Sequence, residues 1–226
     1  MRHYYSLSVL VSTLLLMANF ALGQSQWTWR NPLPQGNDIN AVASNTANHY
    51  VAVGAFGLVM TSTNGATWSI QSTGTSADIM GVTWNDDAGV CIVVGKGGVI
   101  LTSADAIAWT AQTSGVTSDL LAVTYGYGLY VAVGANGVIL TSEDAANWQA
   151  TSIASSTLRA VCFDGYTEYI TVGDAGTLVR SKDAGTVWTA SSLGITNNFY
   201  GVAINGERVV TVGYNSNPST TCYARL

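Results

Sequence analysis

Charge is scarce in this chain. Only 9% of its 226 residues are Asp, Glu, Lys or Arg, and eight basic residues against thirteen acidic ones leave a net charge of -5. A surface so poor in Lys and Arg has little with which to track a phosphate backbone, so nucleic acid is not an expected partner. Histidine is scarcer still: beyond the first few residues there is only His49, with no second imidazole at ligand spacing. That argues against a histidine-based metal cluster and against serine-triad chemistry, and no metal or cofactor is expected. The three cysteines, Cys91, Cys162 and Cys222, are an odd number at unequal places in the repeat described below. Small buried hydrophobes are therefore favoured over a disulfide framework. Helical periodicity is missing beyond residue 23.

What is present begins with an export signal. Residues 1–23 combine a short basic start at Arg2 and His3, an apolar core from Leu7 to Leu22, and small residues at Ala21 and Gly23 before Gln24. Ser12, Thr13 and Asn19 interrupt the apolar stretch and no basic flank follows it, which disfavours a permanent membrane span. The mature chain is expected to be residues 24–226, secreted or periplasmic.

The rest is written in copies. Trp27, Trp68, Trp109, Trp148 and Trp188 recur every 39 to 41 residues, as do Gly54, Gly95, Gly134, Gly173 and Gly213, and Val42, Val82, Val123, Val161 and Val202. Each copy alternates with period two, as in "YVAVG" and "VILTS", and reads as four short strands: one at the valine, one ending in the glycine, a third, and a fourth beginning at the tryptophan. Four strands in about forty residues is the size of a propeller blade. The expected fold is all-β, a five-bladed β-propeller. Because the last copy lacks a tryptophan strand and the first is preceded by a spare one, residues 27–30 are expected to close the ring on the strand near Cys222. The competing expectation is a portion of a larger ring.

The turn before each tryptophan reads "STNGATW", "SADAIAW", "SEDAANW" and "SKDAGTVW". These resemble the Asp-box, or BNR repeat, of sialidase-like propellers. Asn64, Asp105, Asp144 and Asp183, with Trp68, Trp109, Trp148 and Trp188, are assigned structural roles. A short side chain can accept backbone N–H groups in a tight turn, and the indole can cover it. An acid repeated once per blade is too dispersed for the paired carboxylates of glycoside hydrolysis. The arginine triad, the tyrosine–glutamate pair and the "RIP" signature of sialidases find no counterpart, so no catalytic residue is assigned. Trp84, Tyr125 and Phe163, two places after the blade valine, are read as packing between blades, and Asp38, Asp78 and Asp119, four before it, as turn caps.

Function is then sought where the copies differ. The two residues after each blade glycine vary, giving Phe56, Lys96, Asn136, Asp174 and Tyr214. So does the position two before the valine: Asn40, Met80, Leu121, Arg159 and Tyr200. Phe56, Lys96, Asn136, Asp174, Tyr214, Asn40, Arg159 and Tyr200 are the candidate binding residues, on loop tips and strand rims of one face. Blades such as "AVGANGVILTSEDAANW" resemble most the photosystem II stability and assembly-factor family. That resemblance implies a non-catalytic scaffold whose partner is a protein, of a membrane complex or the envelope; a monomer is expected. The family's basic patch has no counterpart in a chain this acidic. A glycan is the alternative partner, for a carbohydrate-binding or sialidase-like propeller.

Overall fold

The computed structural model describes residues 36–192, 194–205 and 208–214. The expected leader at 1–23, the expected closing strand at 27–30, Asn215 and Cys222 lie outside them. The described chain is strands joined by turns, with a single 3-10 turn at each of Ala55–Gly57, Lys96–Gly98, Ala135–Gly137 and Asp174–Gly176, and the strands fall where the alternating runs predict.

Four antiparallel sheets of four strands follow one another. The first comprises β1 (Ile39–Ser44), β2 (Tyr50–Gly54), β3 (Val59–Ser62) and β4 (Ser69–Gln71); the second β5 (Ile79–Asn85), β6 (Val90–Gly95), β7 (Ile100–Ser103) and β8 (Thr110–Gln112). The third holds β9 (Leu120–Gly126), β10 (Leu129–Gly134), β11 (Val138–Ser142) and β12 (Gln149–Ser152), and the fourth β13 (Leu158–Phe163), β14 (Tyr169–Gly173), β15 (Thr177–Ser181) and β16 (Thr189–Ser192). A fifth pairs β17 (Asn198–Asn205) with β18 (Arg208–Tyr214). Each fourth strand starts one residue after its tryptophan, because the indole belongs to the turn.

Strand order within a sheet follows chain order, so every connection is a hairpin. The first strands of consecutive sheets pack side by side, β1 on β5, β5 on β9, β9 on β13 and β13 on β17. The second strands, such as "VCIVVG" and "LYVAVG", are apolar on both faces and buried along nearly their whole length, as a sheet covered on both sides requires. Cores form between sheets rather than within one. Val51, Val53 and Val59 meet Ile79, Cys91 and Val93; Ile92 and Val94 meet Leu120 and Val123; Val131 and Val133 meet Leu158 and Tyr169; Ile170 and Val172 meet Phe199 and Val209.

Trp84, Tyr125 and Phe163 pack into these same interfaces. The Tyr125 ring lies 4.6 Å from that of Tyr130, and Phe163 4.8 Å from Tyr169. Cys91 is buried between the first and second sheets and burial pushes its thiol up; Cys162 is half-buried, with its thiol raised to about 11 for the same reason. Among the described residues the fifth sheet does not pack on the first as the others pack on their neighbours.

Candidate functional site

The site is built from two backbone devices repeated in each copy. The first is the turn after the blade glycine. At Gly134 the backbone is extended, yet a Cβ there would lie 1.9 Å from the carbonyl oxygen of Asp119, so only hydrogen fits. The next N–H, that of Ala135, donates to the same carbonyl at 2.8 Å, and Ala55, Lys96 and Asp174 donate likewise to Asp38, Asp78 and Thr157. The turn is thereby locked to the connection entering its own sheet.

The middle residue of that turn is left-handed in each of the first four sheets: Phe56 (φ 57°), Gly97 (φ 68°), Asn136 (φ 58°) and Ala175 (φ 55°). Its N–H points at the following sheet. Phe56 donates to Asp78 Oδ1 at 2.9 Å, Gly97 to Asp119 Oδ1 at 2.9 Å and Ala175 to Asn198 Oδ1 at 3.1 Å. Of the residues read as turn caps, Asp78 and Asp119 therefore cap the turn of the preceding sheet and join one sheet to the next; no sheet is described before Asp38.

The second device is a β-bulge on every first strand. Pairing registers shift between Ile39 and Ala41, Ile79 and Gly81, Leu120 and Ala122, Leu158 and Ala160, and Phe199 and Gly201. The extra residue in each is Asn40, Met80, Leu121, Arg159 or Tyr200, the set that varies from copy to copy. A bulge takes one residue out of the ladder and re-aims its side chain without disturbing its neighbours.

These side chains meet across sheets. The Asn40 amide donates to the Ile79 carbonyl at 2.8 Å and lies 3.5 Å from Met80 Sδ. Arg159 grips Asp174 through Nε at 2.5 Å and a second nitrogen at 2.9 Å, and its guanidinium carbon sits 4.9 Å from the centre of the Tyr200 ring. Lys96 pairs with Asp78 at 2.6 Å, and that ammonium, with the Phe56 N–H, holds the Asp78 carboxyl below the usual range. Two groups result: Arg159, Asp174 and Tyr200 at one end of the row, and Asn40, Met80, Phe56 and Lys96 at the other. Asn136 stands between, its amide 3.4 Å from Ser118 Oγ, and Tyr214 is exposed at the last turn.

No protein-family model and no curated protein matches the chain. Solved structures do match. YCF48 bound to D1 peptide is similar with a TM-score of 0.64 at 17% identity, over 80% of this chain and 62% of that one. YCF48 from Cyanidioschyzon merolae gives 0.62 at 19%, over 86% and 73%, and the WD40 beta propeller domain of Doa1 gives 0.62 at 10%, over 79% and 64%. The fold is that of a β-propeller. The chain spans under two thirds of the first of these structures. Each four-stranded sheet is then a blade, and the bulge residues lie on the strands nearest the propeller axis.

On the opposite side of the blades, the serine-to-tryptophan turns are hydrogen-bonded within themselves. Asp144 accepts the N–H groups of Ala146 and Asn147 at 2.9 and 2.8 Å and the hydroxyl of Ser142 at 3.1 Å; Asp105 does the same with Ile107, Ala108 and Ser103. Asp183 accepts from Val187 and Ser181, and Asn64 Oδ1 from Ala66 and Thr67. Those backbone donors hold all three carboxyls below the usual range. The indoles of Trp68 and Trp148 donate to the carbonyls of Gly65 and Ala145. Trp109 and Trp188 pack into the blade interfaces.

The variable face presents aromatic surface and paired charge. Phe56 is 72% exposed, Tyr214 67% and Tyr200 52%. Arg159 and Asp174, read from the sequence as separate contacts, are one paired group with a ring stacked on it. Met80 and Leu121, which the sequence places in the same variable column without making them binding candidates, share the bulge row. One feature went unread in the sequence: a cavity of about 480 Å3 opens between Thr73–Thr75 and Ser114–Thr117 with Gly97 and Gly98 on its wall. The paired glycines "GG" at 97 and 98 were the available signal for bare backbone there.

Proposed function

We propose that this chain is an exported, non-catalytic propeller that holds a protein partner, as an extended segment, on the bulge row and the adjoining turns. The observation that carries the reading is the coincidence of variation and geometry: the residues that differ between copies are those a bulge lifts out of the ladder onto one face. Asn40 at one end and the Arg159–Asp174 pair with Tyr200 at the other offer polar fixing points, with Met80 and Leu121 as apolar positions between them. Rigid aromatics with a polar tip, such as Tyr200 and Tyr214, give contact area at little entropic cost. The cavity beside Gly97 has hydroxyls, an amide and aliphatic side chains among its lining residues, which suits a mixed polar and apolar segment. That a similar fold, YCF48, is seen bound to a peptide supports the same mode. The leader-like residues 1–23 support a periplasmic or secreted location.

The test is affinity capture from an envelope extract of the source cells, with the chain from Gln24 to Leu226 as bait. A variant with Phe56, Arg159, Tyr200 and Tyr214 all changed to alanine is the control. A protein recovered by the first and lost by the second, at matched melting temperature, supports the reading. Equal recovery by both moves the site elsewhere, and recovery of a polysaccharide overturns the protein partner.

A further inference from the structure

The face opposite the bulge row carries the hairpins between first and second strands and the serine-to-tryptophan turns. Two hairpin tips there present an aromatic ring to solvent: Tyr127 is 69% exposed and Tyr166 73%. Tyr127 is also held at φ 45°, between Gly126 and Gly128, in the left-handed region that a bulky side chain rarely adopts. Its ring fills no core, and among the described residues its hydroxyl has no partner. The fold therefore does not account for a tyrosine at a turn that Asn or Gly would make more easily.

The two tyrosines belong to adjoining blades, the third and fourth, and a groove of about 430 Å3 runs between those same blades. Leu129, two residues on from Tyr127, lines it. The other wall is the turn tip of the fourth blade, tied to the Tyr166 hairpin by the Ala184 N–H, which donates to the Thr167 carbonyl at 2.9 Å. Both rings therefore stand at the inner end of the groove. The third blade's wall bears Thr141, Glu143, Asn147 and Gln149, and the fourth blade adds Thr186. Asn147 gives an amide N–H to Asp144 at 2.7 Å and keeps its oxygen free. The carboxylate of Glu143, the amide of Gln149 and the hydroxyl of Thr141 have no protein partner among the described residues. The groove thus gathers unpaired donors and acceptors, with no Lys or Arg among the described residues that line it.

The repeat shows that the turn itself does not need these groups. In the equivalent groove between the first two blades, Thr63, Thr67 and Ser69 stand where the third blade has Glu143, Asn147 and Gln149, and the Thr61 hydroxyl is taken by the Gln71 amide at 2.8 Å. Gln112 takes Thr102 in the same way at 2.9 Å. The third blade has Thr151 at that place, which leaves Thr141 open. The hairpin tips of the first two blades, at 45–48 and 86–89, hold no aromatic residue. We infer that the groove between the third and fourth blades binds a neutral saccharide, with a sugar ring lying on Tyr127 and its hydroxyls shared among Glu143, Asn147 and Gln149. The C–H face of a sugar suits an exposed aromatic ring, and neighbouring hydroxyls suit a carboxylate beside amides that both give and accept. The volume lies within the range of about 300–1,000 Å3 of small-ligand sites. An acidic sugar would bring its carboxylate beside Glu143 and Asp144 with no cation there to offset them. The site lies on the other face from the bulge row and does not rest on the protein-partner reading.

The test titrates the purified full chain with a panel of neutral and acidic oligosaccharides by calorimetry, followed by saturation-transfer NMR on those that bind. A neutral oligosaccharide is expected to bind, with its strongest transfer from aromatic protons. Glu143→Ala and Gln149→Ala should each weaken that binding about tenfold or more at unchanged melting temperature, since both side chains are exposed and unbonded. Tyr127→Asn, which suits the left-handed turn, should weaken it as much; if that variant unfolds, the other two carry the test. The variant with Phe56, Arg159, Tyr200 and Tyr214 changed to alanine should bind the sugar as the unmodified chain does. No binding of any neutral sugar at about 10 mM overturns the inference. So does preference for an acidic one, or a loss of binding confined to the four-alanine variant. In the capture experiment a polysaccharide held here is recovered by the four-alanine variant as well, which separates it from one held on the bulge row, so the two readings fail independently.

Discussion

Ile170 and Val210 stand at the same place in consecutive copies, three residues before the blade glycine, on strands of the same register. One is wholly enclosed by the fifth blade; the other is half open to water. Nothing in the local sequence distinguishes them. A β-branched apolar residue at that place states that a neighbour is expected, and whether a neighbour is there is decided by the array. Burial in a repeat protein is a property of the interface between copies, to which each copy contributes half.

The comparison can be broken most forcefully by truncation. Ile170→Ala removes a side chain from a closed interface and is expected to cost about 2–5 kcal/mol. At roughly 2–4 °C per kcal/mol for a domain of this size, that is a clear drop in melting temperature. Val210→Ala is expected to stay within about 0.5 kcal/mol, as at other exposed sites. Equal losses would show that the fifth blade is covered in solution.

Smaller, and of opposite chemistry, is the effect of adding a methyl. Gly81→Ala pushes against the neighbouring backbone and should cost about 1–3 kcal/mol. Gly201→Ala would bring its Cβ to 2.9 Å from a methyl of the half-exposed Val212, which has to turn about χ1, and removing a strand glycine offsets part of that strain, so a cost below about 1 kcal/mol is expected. Urea denaturation of the two variants side by side measures the difference. A penalty at Gly201 as large as at Gly81 would place another strand against it.

The smallest effect separates the first blade from those that follow it by pH. The carboxyls of Asp105, Asp144 and Asp183 lie below the usual range because backbone N–H groups bond them. Their folded values being lower than the unfolded one of about 3.9, their contribution is whole above that value and is lost as pH falls through the lowered ones. Asn64, in the first blade, does not titrate. As pH falls below about 3.9, amide protection at Ile107 and Ala108, whose N–H groups Asp105 accepts, should fall relative to that at Ala66 and Thr67, after correction for intrinsic exchange, while protection at Ala146 and Asn147, held by the more strongly lowered Asp144, persists to lower pH. A constant ratio would remove the carboxylates from the turn.

The blade was legible in the sequence because its determinants are local. Alternation gave the strands, glycine gave the close turn, and the tryptophan spacing gave the period. The roles of Asp78 and Asp119 were half legible: a short acid near a turn says cap, but that it caps the preceding blade requires the stacking of blades. The bulges were invisible as such. Their trace was a column of unlike residues, Asn40, Met80, Leu121, Arg159 and Tyr200, set among columns of like ones. The Arg159–Asp174 pair was missed because fifteen residues and a hairpin separate the two, and pairing distance across a hairpin does not show in spacing. Closure of the ring was argued from residues 27–30, outside the described structure, while the described ends stand open. Matching halves are needed for closure but do not by themselves fix how many blades lie between them.

A position taken out of the ladder is also a position released from selection for the ladder. At each bulge the residue can be Asn, Met, Leu, Arg or Tyr without any change of strand register, so five sites on one surface can be rewritten one at a time while the framework beneath them stays fixed. Such a chain can change what it recognises by single-codon steps, none of which passes through an unfolded intermediate.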